Sequence, residues 1–323
     1  MLPSLGSIAS RLRLRQLRLL IALDEEGSLH KAAERIAISQ PGATKALHEI
    51  ESTLGATLFL RTHQGLQPND LGRCVIRYAR LIESDLAHLR EEMLGILQGE
   101  GGRLAVGVIM GAVPRLIAAV SRLGAAQPQL GIEIIEDTSV RLLDLLDAGR
   151  IEVAICRSSV SRRPDAYDCL EVREERLEIV CHPRHPLAES ETLGLAELVD
   201  SRWIVYPANL PMRLTLEREF RAAELEFPRY PVETSSTFTL LGLLQEDANQ
   251  VAMLPSDIAQ FGERHGLLRR LPVVQRTRNE PYSILVRQGA GLSAAAQLLL
   301  EQWRLEAWNI YRGHGGPPML PLL

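Results

Sequence analysis

The chain contains no run of 18 or more apolar residues, so its sequence predicts no membrane-spanning helix. Its amino terminus has no signal-peptide core, because four arginines interrupt the apolar residues there: Arg11, Arg13, Arg15 and Arg18. None of the four cysteines has Cys-x-x-Cys spacing: Cys74, Cys156, Cys169 and Cys181. We therefore expect a cytoplasmic protein with reduced thiols.

Signatures of common enzymes are also missing. The sequence has no G-x-S-x-G, no Walker loop and no strand-linked G-x-G-x-x-G. These absences argue against an enzyme, although an α/β enzyme remains an alternative. The segment Cys181-His182-Pro183-Arg184-His185 suggests a metal site, but it follows a strand-like run at 177–180, and its prolines suit the exit from a strand. We expect no metal and no cofactor.

Positive charge is concentrated near the amino terminus. The net charge is −4, which argues against a protein that coats nucleic acid generally. Residues 11–80, however, hold 11 Arg and Lys against 7 Asp and Glu. With 323 residues and 46% hydrophobic content, the chain is long enough for two or three domains.

Residues 28–61 show the pattern of a short helix, a tight turn and a second helix. Ser39 is a good N-cap, and Pro41 lies in the first turn, where a missing N–H costs little. Apolar residues then recur at helical spacing: Ala43, Leu47, Ile50 and Leu54. Polar residues occupy the other side: Gln40, Thr44, Lys45 and His48. Such side chains read base edges or hold phosphates, which favours a helix-turn-helix; the alternative is an αα-hairpin with a solvated polar face.

This segment resembles the N-terminal domain of LysR-type transcriptional regulators. The shared residues follow the family's order: Glu26-Gly27-Ser28, Ala32-Ala33, Ser39-Gln40-Pro41, Ile50-Glu51, Leu54-Gly55, Leu58-Phe59 and Arg61. Thr44 and Lys45 stand where the family usually has Ser and Arg. Lys lacks the bidentate fork of Arg, so base selectivity is expected to be looser. Gly42 should cost up to ~1 kcal/mol of helix stability.

The resemblance implies a sequence-specific regulator, an activator or a repressor, that binds double-stranded operator DNA and RNA polymerase. The residues it places at the DNA are Ser28, Lys31, Ser39, Gln40, Pro41, Thr44, Lys45, His48 and Arg61. Segments 58–60 and 66–67 flank a turn at 62–65 and are expected to form a wing. Arg61 would then touch a phosphate or the minor groove; the alternative is a simple surface charge.

A long helix is predicted after Asn69, its natural N-cap. Apolar residues recur every three or four positions: Leu71, Val75, Tyr78, Ile82, Leu86, Leu89, Met93 and Ile96. This spacing is typical of a coiled-coil seam, although a helix packed on its own domain would also explain it. The resemblance implies a dimerising linker helix, in a homodimer or homotetramer whose recognition helices address spaced half-sites.

Beyond the glycines at 99–102, strands alternate with helices, which indicates parallel sheets covered by helices. The resemblance implies this fold: an all-α winged helix-turn-helix, a linker helix, and an α/β two-lobed, periplasmic-binding-protein-like (type 2) effector domain. The expected domains are 1–68, 69–98 and 99–312, with a disordered tail at 313–323. Lobe 1 is expected at about 103–163 and 267–310, and lobe 2 at about 164–266.

In such folds ligands bind at the carboxyl ends of strands, near helix N-termini. The candidates chosen by that rule are Met110, Gly111, Thr138, Ser139, Arg157, Pro207, Asn209, Ser235 and Ser236. Arg157 could pair with an anionic effector, and the family places a donating Ser or Thr at position 139. Helix capping is the alternative role for Ser139 and Ser235.

The expected small-molecule inducer is an organic acid or a sugar, because the motifs around Trp203 and Glu233 resemble a subgroup that regulates sugar uptake or aromatic-acid catabolism. Redox sensing is not expected, since the relevant region, 203–220, has no cysteine. A third hypothesis is a solute-binding protein without DNA activity. The missing signal peptide and the amino-terminal helices argue against it.

Overall fold

The computed structural model describes residues 3–63, 65–98, 102–229, 232–277 and 279–313. These form two compact units: Met1–Gly102 with Asp144–Ile151, and Arg103–Leu143 with Glu152–Leu323. Among the described residues, no helix has the length and apolar character needed to cross a membrane. Most of the tail predicted to be disordered, residues 314–323, lies outside the described residues.

The first unit is helical with one hairpin. Its elements are α1 (Leu5–Arg11), α2 (Leu14–Glu26), α3 (Leu29–Arg35), α4 (Gln40–Leu54), β1 (Phe59–Thr62), β2 (Gly65–Pro68) and α5 (Asp70–Gln98). The predicted short helix and the second helix are confirmed as α3 and α4, and the predicted wing as β1 and β2.

Local capping sets the bounds of α4. The Ser39 hydroxyl accepts a hydrogen bond from the Gly42 N–H at 3.2 Å, as expected of an N-cap. The helix ends at Gly55, whose φ of 68° lies in the left-handed region that favours glycine. Pro41 lies in the first turn, where a backbone N–H has no partner within the helix. The sequence between these two signals therefore forms one 15-residue helix.

The core of this unit is formed by α2, α3 and α4. Ala32 and Ala33 are fully buried in α3, and their small side chains let the helices pack closely. On α4, the predicted apolar stripe is buried at Ala43, Leu47 and Ile50, while Leu54 is half-buried. The hydrophobic stripe therefore fixes which side of α4 faces outward.

Helix α5 begins where predicted. The Asn69 side chain accepts from the Gly72 N–H at 2.8 Å and donates to the Thr57 carbonyl at 2.8 Å. One side of α5 packs on α2 through Ile76 and Ala79. Six residues of the predicted seam are exposed: Leu71, Tyr78, Ile82, Leu86, Leu89 and Met93. The Ile96 side chain lies outside the described residues.

The second unit contains two five-stranded sheets. Its strands are β3 (Arg103–Val108), β4 (Gly131–Glu136), β5 (Val153–Cys156), β6 (Tyr167–Arg173), β7 (Leu177–Cys181), β8 (Arg202–Val205), β9 (Val232–Glu233), β10 (Gln250–Pro255), β11 (Arg269–Arg270) and β12 (Tyr282–Arg287). Its helices are α6 (Val113–Ala126), the first part of α7 (Ser139–Asp147), α8 (Pro211–Ala222), α9 (Thr237–Glu246), α10 (Ser256–Arg264) and α11 (Ala294–Gly313).

Each sheet defines one lobe. The first has the order β4-β3-β5-β12-β6, with β3 parallel to β4 and β5, and β12 antiparallel to β5 and β6. The second has the order β11-β7-β10-β8-β9, with β8 parallel to β9 and β10, and β7 antiparallel to β10 and β11. The two-lobed α/β architecture predicted from the sequence is confirmed.

The predicted lobe boundaries are wrong at two segments. Strand β6 was assigned to lobe 2 but pairs with β12 in the first sheet, whereas β11 was assigned to lobe 1 but pairs with β7 in the second. Both are edge strands, and an edge strand's own residues do not specify its distant partner. The chain therefore changes sheets at residues 174–176 and between β11 and β12.

The core of the second lobe is centred on Trp203 of β8. This side chain is fully buried, its indole Nε1–H donates to the Leu198 carbonyl at 2.9 Å, and its ring meets Phe220 edge-on at 5.5 Å. Phe220 in turn meets Phe227 at 5.4 Å. This edge-to-face stacking adds to the stabilisation from burial of the rings.

We expect Trp203→Ala to destabilise the protein by about 3–5 kcal/mol, because it removes a large buried ring and orphans the Leu198 carbonyl. Urea denaturation followed by circular dichroism measures this. Phe238→Ala is the control, since that ring is 87% exposed, and its midpoint should stay at the wild-type value. Equal midpoints for the two variants would contradict this description of the core.

Candidate nucleic-acid interface and interlobe cleft

The outer side of α4 carries the predicted DNA-reading residues. Ser39, Gln40, Pro41, Lys45 and His48 are exposed. Thr44 is half-buried, and its hydroxyl donates to the Gln40 carbonyl at 3.1 Å. That bond leaves the Thr44 methyl group and the Gln40 amide available to a base edge.

The hairpin is fixed beside the start of α3. The Leu66 N–H donates to the Gly27 carbonyl at 2.9 Å, and a Cβ on Gly65 would lie 2.4 Å from that same oxygen. Gly65 also has a φ of 110°, so a glycine is required at this turn. Ser28 is half-buried at the N-cap position of α3, and Lys31 and Arg61 are exposed.

The acidic residues at the end of α2 are paired with arginines. Arg80 contacts Asp24 at 2.7 Å and Glu25 at 3.0 Å, while Arg35 pairs with Glu25 and Glu26. Glu25 raises the pKa of the Arg35 guanidinium above its ordinary value. On α4 itself, the Glu49 carboxylate is 4.0 Å from Lys45 Nζ. These pairs neutralise much of the negative charge of the unit.

In the second unit, Met110 joins the two lobes. It lies in a short 3₁₀ turn, Met110–Ala112, directly after β3. Its Sδ accepts from the Tyr206 hydroxyl at 3.3 Å and also contacts the Thr237 hydroxyl. Tyr206 follows β8 and Thr237 begins α9, so both belong to lobe 2. Burial raises the pKa of Tyr206 to about 12, which keeps its hydroxyl protonated.

A buried charged pair lies where the chain passes between the lobes. Arg157, after β5, forms an ion pair with Glu175 in the 174–176 crossing. Asn279 lies in the second crossing, the segment between β11 and β12. It donates to Glu175 at 2.5 Å and accepts from the Thr215 hydroxyl of α8 at 2.8 Å. Burial raises the pKa of Glu175, and the nearby Arg157 charge opposes that rise. The side-chain hydrogen bond between Asn279 and Glu175 thus connects the two crossings.

Several of the predicted ligand residues meet at this pair. The Ser139 hydroxyl accepts from the Arg157 N–H at 3.1 Å, and a Cβ on Gly111 would lie 2.1 Å from Glu175 Oε1. Arg157 Nε is buried and donates to no group among the described residues. Ser139 is itself buried. Met110, Gly111, Ser139 and Arg157 therefore line the junction of the two lobes.

The other predicted ligand residues lie on loops. Thr138, Asn209 and Ser235 are exposed, and Pro207 is half-buried. Ser236 caps α9, because its hydroxyl accepts from the Thr239 N–H at 3.2 Å. The sequence did not single out Glu175, Asn279 or Thr215. Glu175 lies within a charged run, 173–176, which is typical of solvated surface.

The two histidines of the 181–185 segment bond to the backbone of their own loop. His182 Nδ1 accepts from the Arg184 N–H at 2.9 Å, and His185 Nδ1 accepts from the Leu187 N–H at 3.1 Å. In the part of the chain that the structure describes, no cluster of three or more His, Cys, Asp or Glu could hold a metal ion. Burial raises the pKa of Cys156 and Cys181 to about 12, so both are weak nucleophiles.

A helix-turn-helix with an exposed polar recognition helix, combined with a two-lobed α/β unit, defines a DNA-binding transcriptional regulator with an effector-binding domain. Residues 14–73 match the family model described as "Bacterial regulatory helix-turn-helix protein, lysR family", and residues 97–307 match "LysR substrate binding domain". The chain belongs to the LysR-type family of transcriptional regulators.

Two curated relatives and one solved structure agree with this assignment. The chain is 34% identical over 304 residues to the HTH-type transcriptional regulator GbpR of Azospirillum brasilense, covering 94% of this chain and 89% of that protein. It is 28% identical over 298 residues to the HTH-type transcriptional regulator GalR of Pseudomonas putida, covering 88% of this chain and 72% of that protein. Full-length CbnR complexed with its target DNA shares the fold, with a TM-score of 0.59 at 21% identity. The match covers 91% of this chain and 100% of the CbnR chain.

We expect Gly111→Ala to destabilise the second unit by about 1–3 kcal/mol, because the new methyl group would displace a carboxylate that Arg157 and Asn279 hold in place. Thermal denaturation measures this. Gly124→Ala is the control: it lies in α6 with no atom within 4 Å of the added Cβ, so stability should be unchanged or slightly raised. A Gly111→Ala protein as stable as the control would show that the carboxylate is not fixed there.

Proposed function

We propose that this regulator binds its operator through α4 and the β1–β2 hairpin. The observation that carries the proposal is the division of α4, with Ala43, Leu47 and Ile50 buried while Gln40 and Lys45 are exposed. An exposed polar face beside a hairpin with an exposed arginine suits a helix placed in the major groove.

The residue types suggest separate roles at the DNA. Gln40 and Thr44 would read base edges, and Lys45 and His48 would extend contact along the same face. Arg61 on β1 would bind a phosphate or enter the minor groove, and Ser28, Lys31, Ser39 and Pro41 would position the motif on the backbone. The hydrogen bond that fixes the hairpin beside Gly27 would bring Arg61 and Ser28 to one surface.

We infer that the protein acts as a homodimer or homotetramer. The six exposed apolar residues of α5 recur at coiled-coil spacing, and a second copy of α5 would remove them from water. We accordingly propose the division into a DNA-binding domain (1–68), a linker helix (69–98) and an effector domain (99–312). Action on operator DNA, together with RNA polymerase, would place the protein in the cytoplasm. There it would act as a transcriptional activator or repressor without catalytic activity.

The proposed inducer, an organic acid or a sugar, would bind between the lobes near Ser139 and Arg157. An anionic inducer would compete with Glu175 for the Arg157 guanidinium, and the hydroxyl-rich segment 234–237 would contact the ligand from lobe 2. Because Met110 contacts Tyr206 and Thr237 across the cleft, a ligand there would change how the lobes meet. The inducer must favour one arrangement of the lobes to affect transcription.

Footprinting of the DNA upstream of the protein's own coding region, with and without candidate organic acids and sugars, tests this function. We expect a protected region with spaced half-sites, and a change in its extent or bending with one of the metabolites. Equal weak affinity for this DNA and for a random duplex would overturn the proposal. If Ser139→Ala left thermal stabilisation by that metabolite intact, the proposed pocket would be wrong.

Substitutions at two positions should separate base reading from backbone binding. Gln40→Ala should flatten the preference among operator variants by about 1–3 kcal/mol at one base pair, whereas Arg61→Gln should weaken binding to all duplexes alike and lower the salt slope by about 1. Fluorescence anisotropy titrations measure both. Arg264→Gln, an exposed arginine on α10 of the second unit, is the charge control and should bind as wild type.

A further inference from the structure

Helix α1 precedes the region that matches the family, which begins at residue 14. The Ser4 hydroxyl accepts from the Ser7 N–H at 3.3 Å to begin the helix, and the Leu12 N–H donates to the Ile8 carbonyl at 2.9 Å at its end. α1 packs against α4, and Leu12 packs on the core beneath it. The additional helix is therefore held beside the recognition helix.

A groove of about 640 Å³ separates the two helices. One side comes from residues 10–16, at the end of α1 and the start of α2, and the other from residues 45–53 of α4. Its lining residues are Ser10, Arg11, Arg13, Gln16, Lys45, His48, Glu49, Ser52 and Thr53. Apart from the carbon stems of long side chains, these residues are polar. Two of them, Lys45 and His48, belong to the face that we assign to DNA.

The charge of the groove is positive. Its one carboxylate, Glu49, is 4.0 Å from Lys45 Nζ and accepts from Gln16 Nε2 at 3.4 Å. Arg11 and Arg13 are exposed, and neither has a carboxylate within 4.0 Å among the residues that the structure describes. Two exposed arginines thus line the groove without forming an ion pair among the described residues.

We propose that Arg11 and Arg13 bind phosphates of the operator duplex beside the stretch of major groove that α4 enters. This rests on the proposed placement of α4 on DNA. Duplex DNA fits better than an acidic protein, because the groove is continuous with Lys45 and His48. Arginine binds phosphate through a bidentate fork, and each such contact releases counter-ions. The segment before residue 14 thereby widens the DNA footprint without reading sequence.

The test is the salt dependence of DNA affinity for Arg11→Gln/Arg13→Gln in the full chain. The probes are the upstream duplex and a random duplex of equal length, each titrated by fluorescence anisotropy across a series of KCl concentrations. We expect the slope of log Kd against log salt to fall by about 1 to 2, with equal loss of affinity for both duplexes. Arg13→Gln leaves the backbone N–H that donates to Gln16 Oε1 at 3.0 Å, so the start of α2 is preserved.

Two control variants distinguish phosphate binding from a structural role of the arginines and from a general effect of net charge. Arg11→Lys/Arg13→Lys keeps both charges and should keep most of the slope, whereas a purely structural role would not be rescued by charge. Arg162→Gln/Arg264→Gln removes two exposed arginines from the second unit and should leave the slope unchanged. If the Arg11→Gln/Arg13→Gln protein bound the operator with the wild-type salt slope, this proposal would be overturned while the proposed function would stand. Loss of sequence preference by the wild type would instead overturn the proposed function.

Discussion

The burial of one side of α4 is the constraint on which the DNA-binding unit depends. Ala43, Leu47 and Ile50 pack against α2 and α3, where paired alanines allow close approach of the helices. A helix with one side buried in this way has no freedom to turn about its axis. The polar residues at positions 40, 45 and 48 therefore face outward as a consequence of packing, and the hairpin bonded to Gly27 extends that surface.

The effector unit depends on a different kind of interaction. Its two sheets are joined by chain crossings that carry buried polar groups, and Arg157, Glu175, Asn279 and Thr215 form one hydrogen-bonded series across them. A buried charged pair contributes little to stability when it is complete, but breaking it is costly. The junction between the lobes therefore depends on polar contacts, and removing any one of these side chains would leave a buried partner unsatisfied.

Sequence patterns predicted the elements that depend on local signals. The Ser39 cap, the Asn69 cap and the apolar stripe of α4 all lie within a few residues of the structure they specify. The edge strands β6 and β11 were assigned to the wrong lobes, because their pairing partners are remote in sequence. Glu175 was missed because it lies in a charged run that is typical of solvated surface, and because its burial depends on partners outside that run, Arg157 and Asn279, which lie 18 and 104 residues away. Helix α1 has only seven residues, too few for a clear hydrophobic period.

The central claim is that the outward side of α4 meets the bases. Replacing Lys45 with a photo-crosslinking phenylalanine analogue, and irradiating the complex with the upstream duplex, tests it most directly. Crosslinks should map to bases within each protected half-site, and the same analogue at Arg264 should give none. Crosslinks absent at position 45 in a complex that still forms, or scattered evenly along the duplex, would contradict the account.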